Sequence, residues 1–262
     1  MIAESLTTLS LPYPGRGERP VRVYVPAHEE GETFPVIYMT DGQNLFDKES
    51  SSFGCWYTRE AVAAEREKTG RAAVIVGIHN DNPLRECELS PGCIGEFQGP
   101  EELKLSFHPS GEVFLDFVVR TVMPAVEARF PVRTGRANTA FCGSSCGGMM
   151  AFFAVLSHPE LFCAGGVLSP AFLIFSRDDM DRWIHSVLGP QRPFLYLYTG
   201  AGDELEKHIC ESEQWTREIL ADCYPDRLIK EVVQPEQPHH EVAWESIFRD
   251  FLHLFLTHGE EY

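Results

Sequence analysis

Gly143-Ser144-Ser145-Cys146-Gly147 is a Gly-x-Ser-x-Gly pentad between the apolar runs NTAFC (138–142) and GGMMAFFAVLSHP (147–159). Glycine costs backbone entropy in any regular element, so packing alone does not ask for this cluster. A serine on a sharp strand-to-helix turn does. The turn lifts its hydroxyl clear of the sheet, and the first N–H groups of the helix face a developing oxyanion. The chemistry is attack of Ser145 on a carbonyl. A serine hydroxyl needs a base, and the base needs a group to orient it. In the chain order nucleophile, acid, histidine, the acid follows a late strand and the histidine comes last. TGAGDELEK (199–207) offers Asp203 and Glu204, and QPEQPHHEVAW (234–244) offers His239 and His240. Cys146 is an alternative nucleophile, one position beyond the residue the turn presents. The oxyanion needs a second donor from the loop after the third strand. That loop is TDGQNLFD (40–47), where Gly42 permits close backbone approach and the Gln43 N–H joins that of Cys146.

These residues require a sheet whose strand ends lie side by side. Strand-like runs occupy 6–11, 20–26, 34–40, 72–78, 138–142, 163–169, 193–199 and 228–233. The later ones are short and continuously apolar, as strands buried on both faces should be. Helix-like stretches occupy 58–68, 111–130, 147–159, 211–223 and 242–258. The first three strands have short connections and should start antiparallel. The remainder reads as strand–helix–strand crossovers, which implies an α/β fold with a mostly parallel eight-stranded sheet and helices on both faces. The whole of 1–262 is expected to form one domain. Residues 79–110 and 170–192 break the alternation and are expected to be active-site loops. Phe and Trp residues of 170–184, Phe172 among them, would line a lid.

Composition narrows the partners. With 39 acidic and 22 basic side chains, the formal charge is −17, which repels nucleic acid and anionic membrane surfaces. No apolar run approaches the length of a membrane span. No leader-like segment is visible and no Cys-x-x-Cys pair occurs among the eight cysteines. These features point to reduced thiols and a cytoplasmic protein. His79 and Asp81 lack further ligands at metal spacing, and no nucleotide-binding glycine motif occurs. No metal or cofactor is therefore expected, and the oligomeric state is not legible.

VIYMTDGQNLFD, AFCGSSCGGMMAFFAVLSHPELF, LSPAF and HHEVAW resemble the putative esterase family of α/β-hydrolases, over roughly residues 20–255. That family includes esterase D-like, feruloyl-esterase-like and enterochelin-esterase-like proteins. The resemblance implies the α/β-hydrolase fold and a carboxylic ester hydrolase that works through an acyl-enzyme on a small, carbohydrate-, aromatic- or siderophore-linked ester. It puts the nucleophile on Ser145. Spacing back from Trp244 puts the base on His239 and leaves His240 in a place usually held by Asn. The acid position falls on Asp203, where many members carry Glu. Cys146 stands where Met or Leu is usual, which keeps the backbone donor and alters the pocket wall. RECELSP (85–91) resembles a loop that reaches the active site in relatives. Asp41, Gly42, Arg85, Glu88, Phe172 and Trp244 are the expected substrate contacts. An acyltransferase would use the same triad, whereas a non-catalytic binding protein on this scaffold would need a broken one.

Overall fold

In the computed structural model, which describes residues 1–51, 53–99 and 106–258, eight strands form one sheet. They are β1 (Ser5–Tyr13), β2 (Gly17–Val25), β3 (Val36–Met39), β4 (Val74–Ile78), β5 (Thr139–Ser144), β6 (Ala164–Leu168), β7 (Phe194–Gly200) and β8 (Ile229–Gln234). Their order is β1-β2-β4-β3-β5-β6-β7-β8. β1, β2 and β4 pair antiparallel, and β4, β3, β5, β6, β7 and β8 pair parallel. The short 26–35 connection does not make β2 and β3 neighbours, because β4 lies between them. β3 is fully buried, with parallel partners on both sides.

The helices are α1 (Thr58–Thr69), the short turn α2 (Arg85–Glu88), α3 (Gly111–Phe117), α4 (Met123–Glu127), α5 (Cys146–Ser157), α6 (Arg177–Val187), α7 (Glu204–Cys223) and α8 (Glu241–His258). A π turn over Val118–Val122 joins α3 to α4, so the helix expected over 111–130 is interrupted. α7 starts seven positions before the expected 211, and its first residues are too polar to show a helical stripe. The segment 170–192 is not a loop. It carries α6, whose Met180, Trp183 and Ile184 are buried at helical spacing. Trp183 packs against Phe152 and Phe153 of α5, with ring centroids 5.9 and 5.5 Å apart. α5 itself is buried along almost its whole length, between the sheet and α6.

Register aligns the strand ends that matter. Met39 is level with Cys142, Ser144 with Leu168, Leu168 with Tyr198, and Gly200 with Gln234. The turns after β3, β5, β6, β7 and β8 therefore emerge along one edge. β4 and β5 flank β3 on opposite sides, so the chain reverses its direction of travel there. Ligand sites of open α/β sheets lie at such a point.

Candidate active site

Ser145 sits on the turn between β5 and α5 with φ 59° and ψ −124°, a conformation that costs a non-glycine residue of order 1–3 kcal/mol. Surrounding contacts hold it there. Its N–H donates to Leu168 O (2.9 Å), and its carbonyl accepts from Met149 N (3.0 Å) and Ala171 N (3.1 Å). A Cβ at Gly143 would lie 2.4 Å from both Gly147 O and Thr40 Oγ1, and one at Gly147 would lie 2.2 Å from Thr40 Oγ1. The two glycines are required by the close approach of β3, β5 and α5.

The Ser145 hydroxyl lies 3.1 Å from His239 Nε2. On the other side of the ring, Nδ1 lies 2.5 Å from Glu206 Oε2. Glu206 is fully buried. Its Oε1 accepts from Ser169 Oγ (2.5 Å) and from the Gly200 N–H (2.7 Å). The carboxylate facing the histidine is thus Glu206, and the expectation of Asp203 is corrected. Asp203 is the N-cap of α7: its Oδ1 accepts from Glu206 N (2.8 Å) and its Oδ2 from His239 N (2.7 Å). The Glu206 N–H holds the Asp203 carboxyl below its usual range, against the opposing effect of partial burial and with help from the His239 N–H. Asp203 ties the backbone of His239 to the helix start, and Glu206, one turn on, meets the ring. Glu204 is exposed and pairs with Lys207. His240 Nδ1 accepts from Val242 N (3.3 Å), and its side chain is half exposed.

Ser145 and His239 open into a cavity of about 870 Å³. Its aromatic walls are Phe53, Trp56, Phe97, Phe107 and Trp244. Phe97 and Phe107 stack at 4.2 Å between centroids, so the 79–110 segment contributes a wall; its residues 100–105 lie outside the described residues. Trp244 meets the His239 ring edge-on at 4.9 Å, and its Nε1 donates to Ser169 Oγ at 2.9 Å. Gln43 lines the cavity from the 3₁₀ turn Gly42–Asn44 after β3. Cys146 opens α5, where a first N–H has no intrahelical acceptor. Burial pushes the Cys146 thiol up, so it is a poor thiolate.

Arg85 also lines the cavity. Asp41 holds it side-on, with Nε to Oδ1 at 2.6 Å and Nη2 to Oδ2 at 2.8 Å, and Nη2 reaches Ser144 O at 3.3 Å. Asn80 adds a bond to Asp41 (2.5 Å). Burial disfavours the guanidinium charge, and Asp41 more than offsets it, so Arg85 binds its proton more tightly than an ordinary arginine. Glu241 lines the same cavity, and burial pushes its carboxyl up.

Three expected contacts lie elsewhere. Glu88 is fully buried away from the cavity, bound by Arg19 (2.6 and 2.7 Å), Arg16 (3.0 Å) and Asp81 N (3.0 Å). It fastens 79–88 to β2 and the hairpin. Phe172 is core, 5.0 Å from the Phe152 ring, and no residue of 170–192 lines the cavity. Gly42 packs on β4, where a Cβ would lie 2.4 Å from the Gly77 carbonyl. Sequence reading missed Glu206 and Ser169. Asp203-x-x-Glu206 is the spacing of an N-cap and its third helical residue, a signal that separates the two carboxylates.

The sequence profile described as putative esterase matches residues 15–218, most of the chain. The chain belongs to the putative esterase family. The matched span includes Ser145 and Glu206 and ends before His239. The chain is 30% identical over 152 residues to a siderophore triacetylfusarinine C esterase of Aspergillus fumigatus, covering 54% of this chain and 47% of that protein. It is 26% identical over 148 residues to a siderophore enterobactin esterase of Emericella nidulans, again covering 47% of that protein. The chain thus spans about half the length of these curated relatives. Among solved structures, siderophore hydrolase EstA from Aspergillus nidulans superposes with a TM-score of 0.69 at 19% identity, over 95% of each chain. A ferulic acid esterase from Anaeromyces mucronatus superposes with a TM-score of 0.67 at 18% identity, over all of this chain and 93% of that one. These likenesses agree with the α/β-hydrolase fold. Among the described residues, no helix is long and apolar enough to cross a membrane, and no group of three or more His, Cys, Asp or Glu is placed to hold a metal.

Proposed function

We propose that the chain hydrolyses a carboxylic ester through an acyl-enzyme on Ser145. The observation that carries this is the continuous relay from Ser145 Oγ through His239 to Glu206. Ser145 Oγ attacks the ester carbonyl while His239 Nε2 takes its proton. Nδ1–H stays on the imidazole and donates to Glu206, which stabilises the imidazolium without accepting its proton. The Cys146 and Gln43 N–H groups hold the oxyanion. The imidazolium then protonates the leaving alkoxide, and the alcohol departs. Water, deprotonated by His239, attacks the acyl-enzyme and releases the acid. The aromatic walls and the anchored Arg85 suit a bulky ester with an aromatic or anionic portion, in keeping with siderophore and ferulic acid esters as the substrates named for relatives. We take residues 1–262 as one hydrolase domain. The eight cysteines, all unpaired, suit a reducing cytoplasm. Hydrolysis measured across siderophore, feruloyl and simple aryl esters, with Ser145→Ala as control, tests the reading. Turnover of at least one class that vanishes in the variant supports it; equal turnover by the variant refutes it.

A further inference from the structure

Ser169 follows β6, fully buried, with φ 42°. A left-handed serine is uncommon, and glycine or asparagine fits such a position at less cost. The hydroxyl is the group engaged there. It lies 2.5 Å from Glu206 Oε1 and 2.9 Å from Trp244 Nε1. The direction of each bond follows from the donor inventory. An indole nitrogen only donates, an ionised carboxylate only accepts, and a serine hydroxyl has a single proton. Trp244 therefore donates to Ser169, and Ser169 donates to Glu206. The Gly200 N–H fills the remaining place on Oε1, and Oε2 is left for His239 Nδ1–H. With Nδ1 committed as a donor, the neutral ring must accept at Nε2, where Ser145 sits.

We propose that Ser169 is a positioning residue for ester cleavage. Its hydroxyl fixes the rotation of the Glu206 carboxyl group, and so sets the tautomer and orientation of His239. This rests on the hydrolase reading above. No lysine or arginine among the described residues bonds Glu206; its oxygens are met by the Ser169 hydroxyl, the Gly200 N–H and His239 Nδ1. The other ionisable groups near it are Asp203, which caps its own helix, Glu213 from the same helix, and Tyr198 from β7. None of these donates to Glu206. Trp244 serves twice: its ring edge packs on His239 while its N–H orders the Ser169 hydroxyl.

The test compares Ser169→Ala and Ser169→Gly with the wild type on an ester the protein turns over. Glycine removes the hydroxyl and relieves the backbone strain, so it separates the two effects and remains usable if alanine does not fold. Both variants should lower kcat about 10- to 100-fold, the scale of a lost hydrogen bond to a charged group, with KM within about twofold. The downfield imidazole N–H proton resonance of His239 should shift or vanish in both, a readout that a purely structural role would not move. Ser145→Ala in the same assay separates the failures. Activity surviving in Ser145→Ala overturns the hydrolase reading itself. Loss in Ser145→Ala, with kcat and the resonance unchanged in both Ser169 variants, overturns the role of Ser169 alone.

Discussion

Glu206→Gln keeps the size and most of the packing of a fully buried side chain and changes one proton count. In the wild type Oε1 receives two donors and Oε2 one. An amide has one oxygen, and its best placement is on the Oε1 side, against Ser169 and Gly200. That turns the NH₂ toward His239 Nδ1, which must then accept, so the ring carries its proton on Nε2 and cannot take one from Ser145. The cost of a wrong-tautomer triad is about 10⁴ in kcat, or about 5.5 kcal/mol of transition-state stabilisation. Asp203→Asn is the contrasting perturbation. It keeps one acceptor and weakens either the cap on Glu206 N or the tie to His239 N, worth about 1 kcal/mol and less than about tenfold in rate. Steady-state kcat for both variants, with thermal melts as the folding control, decides between them. A Glu206→Gln enzyme above about a tenth of wild-type kcat, or an Asp203→Asn enzyme as impaired as Glu206→Gln, is incompatible with Glu206 orienting the His239 ring.

Arg85→Met should raise KM and destabilise the fold by about 3 kcal/mol, because Asp41 is left nearly buried with only Asn80 as a side-chain partner. Adding Asp41→Asn should restore much of the melting temperature but not KM, and recovery of KM would remove Arg85 from substrate binding. Glu213 is buried with neither carboxylate oxygen bonded, and burial pushes its carboxyl well above the usual range. Its raised folded pKa means the unfolded chain ionises first, so stability is complete at acid pH and falls as pH rises above about 4.5 toward the folded pKa. Glu213→Gln should abolish that slope of about 1.4 kcal/mol per pH unit. Equal pH dependence of denaturant midpoints in the two proteins would contradict it.

Ser145 and His239, which the fold brings within 3.1 Å of each other, are legible because each is marked by local pattern. Glycines bracket Ser145 between two apolar runs, and His239 precedes the last helix with Trp244 beyond it. The carboxylate that faces the His239 ring is not, because the first turns of α7 are polar. TGAGDELEK reads as a glycine-rich loop, yet Glu206 within it is fully buried on a helix. Asp203 falls at the family's acid spacing after Gly200 and is instead the N-cap that accepts from the Glu206 N–H. The sheet was legible strand by strand, since buried parallel strands are continuously apolar. Insertion of β4 between β2 and β3 was not, since neighbour order depends on long-range packing. Polar and charged residues around Met180, Trp183 and Ile184 hid α6, and the left-handed turn at Ser169 leaves no compositional trace.

Covalent acylation of Ser145 can be trapped. The protein is treated with a fluorophosphonate, or mixed with an aryl ester and quenched in acid, and the modified residue is found by peptide mass mapping. One adduct is expected, on Ser145, lost in Ser145→Ala and much slowed in His239→Ala, with Cys146 unmodified. An adduct on Cys146, or ester turnover with Ser145 never modified, would contradict it.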